Sequence, residues 1–392
     1  MTAFNVINNE PILPNNSLVL NFQELFGYPS YLTINSWEQG IDWVLYVEGE
    51  EPEVRNYLTE AAVPLSFMAV RKEYNKWYKA IPDDIRDELL RYPEMSFTLL
   101  YHVNRYSAAY ELFIRNPNLV WILLQFARSE KWDEAKVVEL LNDKQVNILH
   151  ACGLPNTRAA VKFIKKLSFD EYSTDQFKRI IEALGLPCYA KFNHNKSLDF
   201  PLLSLLVRFP VLLGSSLLNQ YDSLNWTYKT ESLLRDIGRI AEMLNQVETV
   251  NISVRRSKNT NELRVLHDRL AYKLNQEVIE GLAEGNFPEP PILGTDSIIP
   301  ITGARELALE GKIQHHCVRS YEDPILNNEY YVYRVLTPER ATLGLTLHKE
   351  LPPSIDQVLL SWNKPVSKET RNMIESWMSN TYIENFKLSS DF

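Results

Sequence analysis

Cysteine is scarce in this chain. Cys152, Cys188 and Cys317 are the only three in 392 residues. Three is an odd number and no pair is spaced as CxxC, which excludes a disulfide framework and argues against a structural zinc ribbon. The Cys and His spacings fit no closed tetrahedral site, so no bound metal is expected. Positive charge is also short: 41 Lys and Arg stand against 50 Asp and Glu, a net charge of -9. A general, charge-driven nucleic-acid binder needs the opposite balance, although a local basic face stays open. Long apolar runs are missing as well. The longest, Phe200–Leu213, is interrupted by Pro201, Ser204, Arg208 and Pro210 and cannot span a bilayer. Met1–Leu13 shows no basic-plus-apolar leader, so a cytoplasmic protein with no membrane contact is expected. No Walker loop, GxGxxG, HExxH, EF-hand or GxSxG occurs, which leaves nucleotide-driven and common hydrolase mechanisms without support and implies no cofactor.

What is present is an ordinary globular composition, 45% hydrophobic and 23% charged, which excludes a largely disordered chain. Residues 1–16 are rich in Asn and Pro and read as a loosely held lead-in. Ser17–Phe22, Tyr31–Asn35 and Trp43–Val47 have strand patterning, giving an N-terminal β element over 1–53. From 54 to 284 the apolar period turns helical. Arg91-Tyr-Pro93 and Arg115-Asn-Pro117, with a weaker echo at Arg208-Phe-Pro210, suggest repeated helix starts, since proline suits a first helical turn. Further helices are expected at Trp132–Leu141, Thr157–Leu167, Thr174–Leu184, Thr230–Gln246 and Asn259–Asn275. The last carries Leu263, Leu266, Leu270 and Leu274 on one stripe. The prolines of Gly285–Pro291 mark a linker over 285–296. A C-terminal unit over 297–392 follows, with an extended Ser297–Ile301, a helix from Gly303, three strands (Glu329–Leu336, Ala341–His348, Ile355–Trp362) and a helix at Ser367–Met378. The fold class is α+β: a small β element, a long helical middle and a compact C-terminal α/β unit.

The chemistry is concentrated in Gly311-Lys-Ile-Gln-His-His-Cys-Val-Arg-Ser-Tyr321, which holds two of the seven histidines and one of the three cysteines. Glu310-Gly311, His316-Cys317-Val318, Tyr321, Thr342-Leu343, Gln357 and Asn363 together resemble the PcfJ-like family. Leu263–Leu270, with its His267-Asp268 pair, extends the likeness over the chain from about residue 255. Leu360 and Asn327-Asn328 stand where that family tends to carry glycine. The resemblance implies a protein of conjugative plasmids, phages or other mobile elements, and implies no defined activity. Its partners would be nucleic acid or a protein of the same element.

If the helix continued past Gly311, Ile313, Cys317 and Tyr321 would share a stripe, and His316, pointing about 100° away, could not activate Cys317. A partner would have to come from elsewhere in the fold. Cys317 is open to three readings: a nucleophile needing a nearby His and an orienting group such as Asn363, a metal ligand with His315 or His316 and His348, or a buried structural thiol. The His267-Asp268 pair is open to a catalytic or a packing role. The catalytic candidates are His316, Cys317, Tyr321, Gln357 and Asn363, expected to converge on one cavity. Arg255, Arg256 and Lys258, within a broader basic stretch, are the nucleic-acid-binding candidates, against the plainer account of a solvated surface. Two functions follow: an enzyme or ligand sensor built on the C-terminal pocket, or a non-enzymatic interaction protein whose helical body binds a protein or nucleic acid.

Overall fold

The computed structural model describes residues 6–7, 10–11, 17–54, 65–276, 279, 282 and 284–389. The 1–16 lead-in therefore falls largely outside the described residues. No helix among them is long and apolar enough to cross a membrane. The chain divides into two compact units, Met1–Leu213 and Gly214–Phe392, and the α+β class holds.

In the first unit, β1 (Leu18–Asn21), β2 (Ser30–Ile34), β3 (Trp43–Val47) and β4 (Glu53–Val54) form one antiparallel sheet in that order. Leu18, Leu20, Leu32, Ile34 and Trp43 are buried, as the period-2 alternation requires. Short helices follow. Pro93 and Pro117 each stand at the start of a helical segment, Pro93–Met95 running into Ser96–Arg105 and Pro117 opening Pro117–Ser129. Proline loses nothing there, because the first-turn N–H groups have no intrahelical acceptor. His102 is fully buried on Ser96–Arg105, with Nδ1 2.7 Å from the Thr98 carbonyl. Burial pushes its imidazole down to about 4, outweighing the opposing pull of the Thr98 carbonyl and Glu134.

The second unit opens with three helices: α1 (Leu224–Met243), α2 (Val247–Arg256) and α3 (Thr260–Asn275). The Asn259 side chain accepts from the Glu262 N–H to start α3, and Leu263, Leu266, Leu270 and Leu274 are all buried. Strands β5 (Ile298–Pro300), β6 (Tyr330–Val335), β7 (Ala341–Thr346), β8 (Ser354–Leu360) and β9 (Lys364–Pro365) form a sheet of order β9-β8-β7-β6-β5. It holds the three expected strands, the expected extended Ser297–Ile301 paired as the β5 edge, and one strand not expected, the short β9 edge. Helix α4 (Ala304–Gln314) precedes β6, and α5 (Lys368–Ser389) closes the unit. α5 runs past the expected Met378 because no glycine or proline interrupts it.

The proline-rich stretch lies inside this second unit and is tied to the sheet. Tyr331 Oη donates to the Pro288 carbonyl, the Ile292 N–H donates to Tyr333 Oη, and Tyr333 Oη donates to the Ile292 carbonyl. Tyr331 and Tyr333 thus turn toward the connector and α5, where Trp377 Nε1 donates to the Leu293 carbonyl. Register pairs Val332 with Gly344 and Gly344 with Gln357, so these share the other face, with Tyr330 and Thr342 two residues along their strands.

His102 makes the first unit acid-sensitive in a defined window. Its folded pKa of about 4 lies below the unfolded value of 6.5, so the unfolded chain binds the extra proton and stability falls as pH drops from about 6.5 toward 4. The loss should approach about 3 kcal/mol at the low end. Urea unfolding of the His102→Gln variant between pH 7 and 4 should show a flatter acid limb than the parent. Identical slopes would place the titration elsewhere.

Candidate functional site

The turn after α4 sets the site. The helix does not continue through Cys317. It stops at Gln314, and His315 takes a left-handed conformation (φ 56°, ψ 46°) as the C-cap. Asn275, at the end of α3, fixes this stop: its Nδ2 donates to the carbonyls of Gly311 and His316, each at 3.1 Å. A Cβ on Gly311 would lie 3.0 Å from Asn275 Oδ1, so glycine is what lets the two elements close. Val318–Tyr321 then forms a tight helical turn with Cys317 at its head. Ile313 is exposed, so the expected Ile313–Cys317–Tyr321 stripe does not form.

His316, Cys317, Gln357 and Asn363 line one cavity of about 20 Å³, together with Val318, Tyr330, Thr342, Gly344 and Leu359. That volume holds about one water-sized group. Tyr321 is not in its wall. It is one hydrogen bond behind, where Gln357 Nε2 donates to Tyr321 Oη at 3.2 Å. Arg255, Arg256 and Lys258 are exposed at the end of α2 and just beyond, and none lines the cavity. His348, a candidate partner for Cys317, instead meets Ser354 at the surface.

Each wall group has its polarity set by what stands behind it. Thr342 Oγ1 donates to Glu310, which is 1% exposed and is also paired with Arg340. Thr342 can therefore only accept from His316 Nε2, 3.0 Å away, which fixes the proton on Nε2 and leaves Nδ1 an acceptor. Burial, followed by the Arg340 charge, pushes His316 down to about 4, so the ring is neutral. On the other wall a bulge in β8 between Ile355 and Gln357 breaks the alternation of faces. Asp356 and Gln357 consequently both reach Tyr330: its Oη donates to Asp356 Oδ2 at 2.9 Å and accepts from Gln357 Nε2 at 3.4 Å. With its amide hydrogens turned to two phenols, Gln357 has its carbonyl oxygen to offer a ligand. Asn363, held at φ 56° beyond the end of β8, has no side-chain hydrogen bond among the described residues.

Behind Cys317 lies a second, buried cluster that its neighbours in sequence do not reveal. The ligating atoms of Asp236 on α1, His267 on α3 and Cys317 lie within 4.8 Å of one another, and all three residues are buried. The imidazole facing the thiol is thus His267, not His316. His267 Nδ1 is 2.9 Å from Asp268 Oδ1. Burial alone would lower the His267 pKa, but the Asp268 hydrogen bond, then Cys317 and Asp236, push it up to about 10. Burial, with Asp236 adding to it, pushes the Cys317 thiol up. Tyr321 Oη donates to Asp236 Oδ1 at 3.0 Å, and Arg239 pairs with the same carboxylate while lying 4.0 Å above the Tyr321 ring. The sequence singled out the His267-Asp268 pair. Asp236 and Arg239 carried no signal, because a charged pair one turn apart on a helix is common on any solvated face.

The Tyr330 phenol lies across Gly344, where a Cβ would fall 1.8 Å from Oη. Gly344→Ala should therefore displace Tyr330 and cost about 1–3 kcal/mol or more. Urea denaturation of this variant, alone and combined with Tyr330→Leu, should show the cost shrinking when the phenol is removed. An alanine tolerated as well as glycine in the parent would mean the phenol is not there.

A family model described as "PcfJ-like protein" matches residues 234–375. The match takes in every residue of the cavity and of the cluster behind it. It begins within α1, earlier than the resemblance that set in at about residue 255, and so includes Asp236. No curated protein and no solved structure matches the chain.

Proposed function

We propose that the PcfJ-like domain of this chain recognises a small polar group of a ligand in the cavity between the 315–321 turn and the sheet, acting as a sensor or as the binding half of an enzyme site. One observation carries this: His316, Cys317, Gln357 and Asn363, drawn from two separate stretches of sequence, meet around a single water-sized space. A pure packing cluster would be filled by apolar atoms. Here the surrounding bonds leave Gln357 Oε1 as an acceptor, and Asn363 carries a half-buried carboxamide with no side-chain hydrogen bond among the described residues. A hydroxyl, ammonium or amide N–H of a ligand matches that set, with Asn363 able to donate or accept. The thiol is the less ready participant, since burial and Asp236 hold it protonated. By family resemblance, the ligand would belong to the life of a mobile element, a phage or a phage-conflict system.

A second reading, thiol chemistry, has its own support in the order Asp268–His267–Cys317, where a carboxylate orients an imidazole that faces a sulfur. His267 is held charged chiefly by Asp268, so this reading requires it to give up a proton before acting as base. The interaction-protein alternative leaves the cavity without a ligand and puts the contacts on exposed groups such as Arg255, Arg256 and Lys258.

Thermal-shift screening of the full chain against small amides, alcohols, amines and nucleosides should yield a stabilising compound. Its affinity should weaken at least about tenfold in Asn363→Ala and Gln357→Ala, about 1.4 kcal/mol. Stabilisation that is the same in both variants would remove the cavity as the binding site. Iodoacetamide labelling mapped to Cys317 separates the second reading: a rate that rises with the bound compound and collapses in His267→Ala supports thiol chemistry, and an unchanged rate rejects it.

A further inference from the structure

We propose that Asp236, His267 and Cys317 form a buried binding site for a divalent transition-metal ion of the zinc class. The inference goes beyond ligand recognition in the cavity and does not depend on it.

Three separate elements supply one ligating atom each: a carboxylate oxygen from α1, an imidazole nitrogen from α3 and a sulfur from the turn after α4. These atoms already lie within 4.8 Å of one another. Ligands about 2.0–2.3 Å from zinc in a tetrahedral site stand roughly 3.3–3.8 Å apart. Side-chain adjustments of an ångström or less would close the site. A mixed sulfur, nitrogen and oxygen set suits zinc and its neighbours and does not suit magnesium or calcium, which take oxygen.

The second observation is the state of His267. Its Nδ1 is engaged by Asp268 Oδ1 at 2.9 Å, the arrangement that fixes ring orientation in carboxylate–histidine–metal triads. Its Nε2 is sealed from solvent on a residue 5% exposed, and among the described residues it meets no oxygen or nitrogen partner, only the facing Cys317 thiol. A buried ring nitrogen left in this way is costly unless something binds it. The Asp236 Oδ1 already accepts from Tyr321 and pairs with Arg239, so Oδ2 is the oxygen available to an ion. On binding, Cys317 Sγ and His267 Nε2 each release a proton to solvent, and the ion takes their lone pairs. With the thiolate, Asp236 and Asp268 as three negative charges and Arg239 as one positive, the surroundings balance a dication. Three protein ligands leave a fourth tetrahedral position.

The sequence argued against a metal because 31 residues separate Asp236 from His267 and 50 separate His267 from Cys317. Spacing rules find ligands that sit in one or two short motifs. They do not find three ligands brought together by helix packing.

The test is cobalt titration of the chelator-treated full chain, followed by absorption spectroscopy. One equivalent of Co²⁺ should give a near-ultraviolet sulfur-to-cobalt charge-transfer band and visible bands of tetrahedral intensity, both abolished by Zn²⁺. Cys317→Ser should lose the charge-transfer band. Asp268→Asn, at an exposed position, should weaken binding about 10–100-fold, by loosening the ring orientation and by removing one of the three negative charges. Asn363→Ala should bind cobalt like the parent, so that failure here and failure of ligand recognition stay distinct. No charge-transfer band in the parent, or equal cobalt affinity in the parent, Cys317→Ser and Asp268→Asn, would overturn the proposal.

Discussion

The carboxamide of Asn275 holds the C-terminal unit in its working arrangement. It accepts no part in the cavity, yet by donating to the carbonyls of Gly311 and His316 it ends α4 one residue before the left-handed His315. Carbonyls at a helix end lose their intrahelical partners and must find others. Here the Gly311 carbonyl already accepts from the His315 and His316 N–H groups, and the Asn275 side chain bonds it once more together with the His316 carbonyl, while Arg319 donates to the Leu274 carbonyl of α3 at 2.9 Å. The end of α3 and the turn after α4 are thereby cross-tied in both directions. That tie brings His267 up to Cys317 and turns His316 to the sheet. A continuous helix would have sent the cysteine and the histidine along different stripes, with neither facing its present partner.

Two histidines a few residues' width apart are driven in opposite directions by their surroundings. His316 faces a hydroxyl whose proton is committed to Glu310, with Arg340 nearby, and is held neutral. His267 faces Asp268 and Asp236 and is held charged at neutral pH in the metal-free protein. Burial acts the same way on both, so the difference comes from the carboxylates and the guanidinium placed around them. The buried anions are likewise compensated: Glu310 by Arg340 and Thr342, Asp236 by Arg239 and Tyr321. An uncompensated carboxylate at either place would cost several kcal/mol, on the order of the whole stability margin of a small domain.

The sheet contributes a different kind of control. Gly344 leaves room for the Tyr330 phenol, and the bulge before Gln357 lets two successive residues of β8 reach that phenol. Together they set how far the cavity reaches and which atoms of Gln357 are committed elsewhere. The strand pattern alone would have sent Asp356 and Gln357 to opposite faces.

By itself the sequence determined most of the elements and several of the residues that line the cavity. Alternating apolar residues marked β1 to β3 and β6 to β8, the leucine stripe marked α3, and the prolines at 93 and 117 marked helical starts, because each follows from backbone sterics and burial over a few neighbouring residues. The clustering of rare histidine and cysteine, with Tyr321, Gln357 and Asn363 downstream, pointed to one cavity; His316, Cys317, Gln357 and Asn363 meet there, while His315 stacks on Trp362 instead. Only the tertiary structure decided which histidine faces Cys317, that Tyr321 stands behind the wall, and that Asp236 belongs to the cluster. Those pairings span 31 to 85 residues and depend on where α4 stops. The stop is set by Asn275, a residue 36 positions away, so no local pattern around Cys317 carries the information.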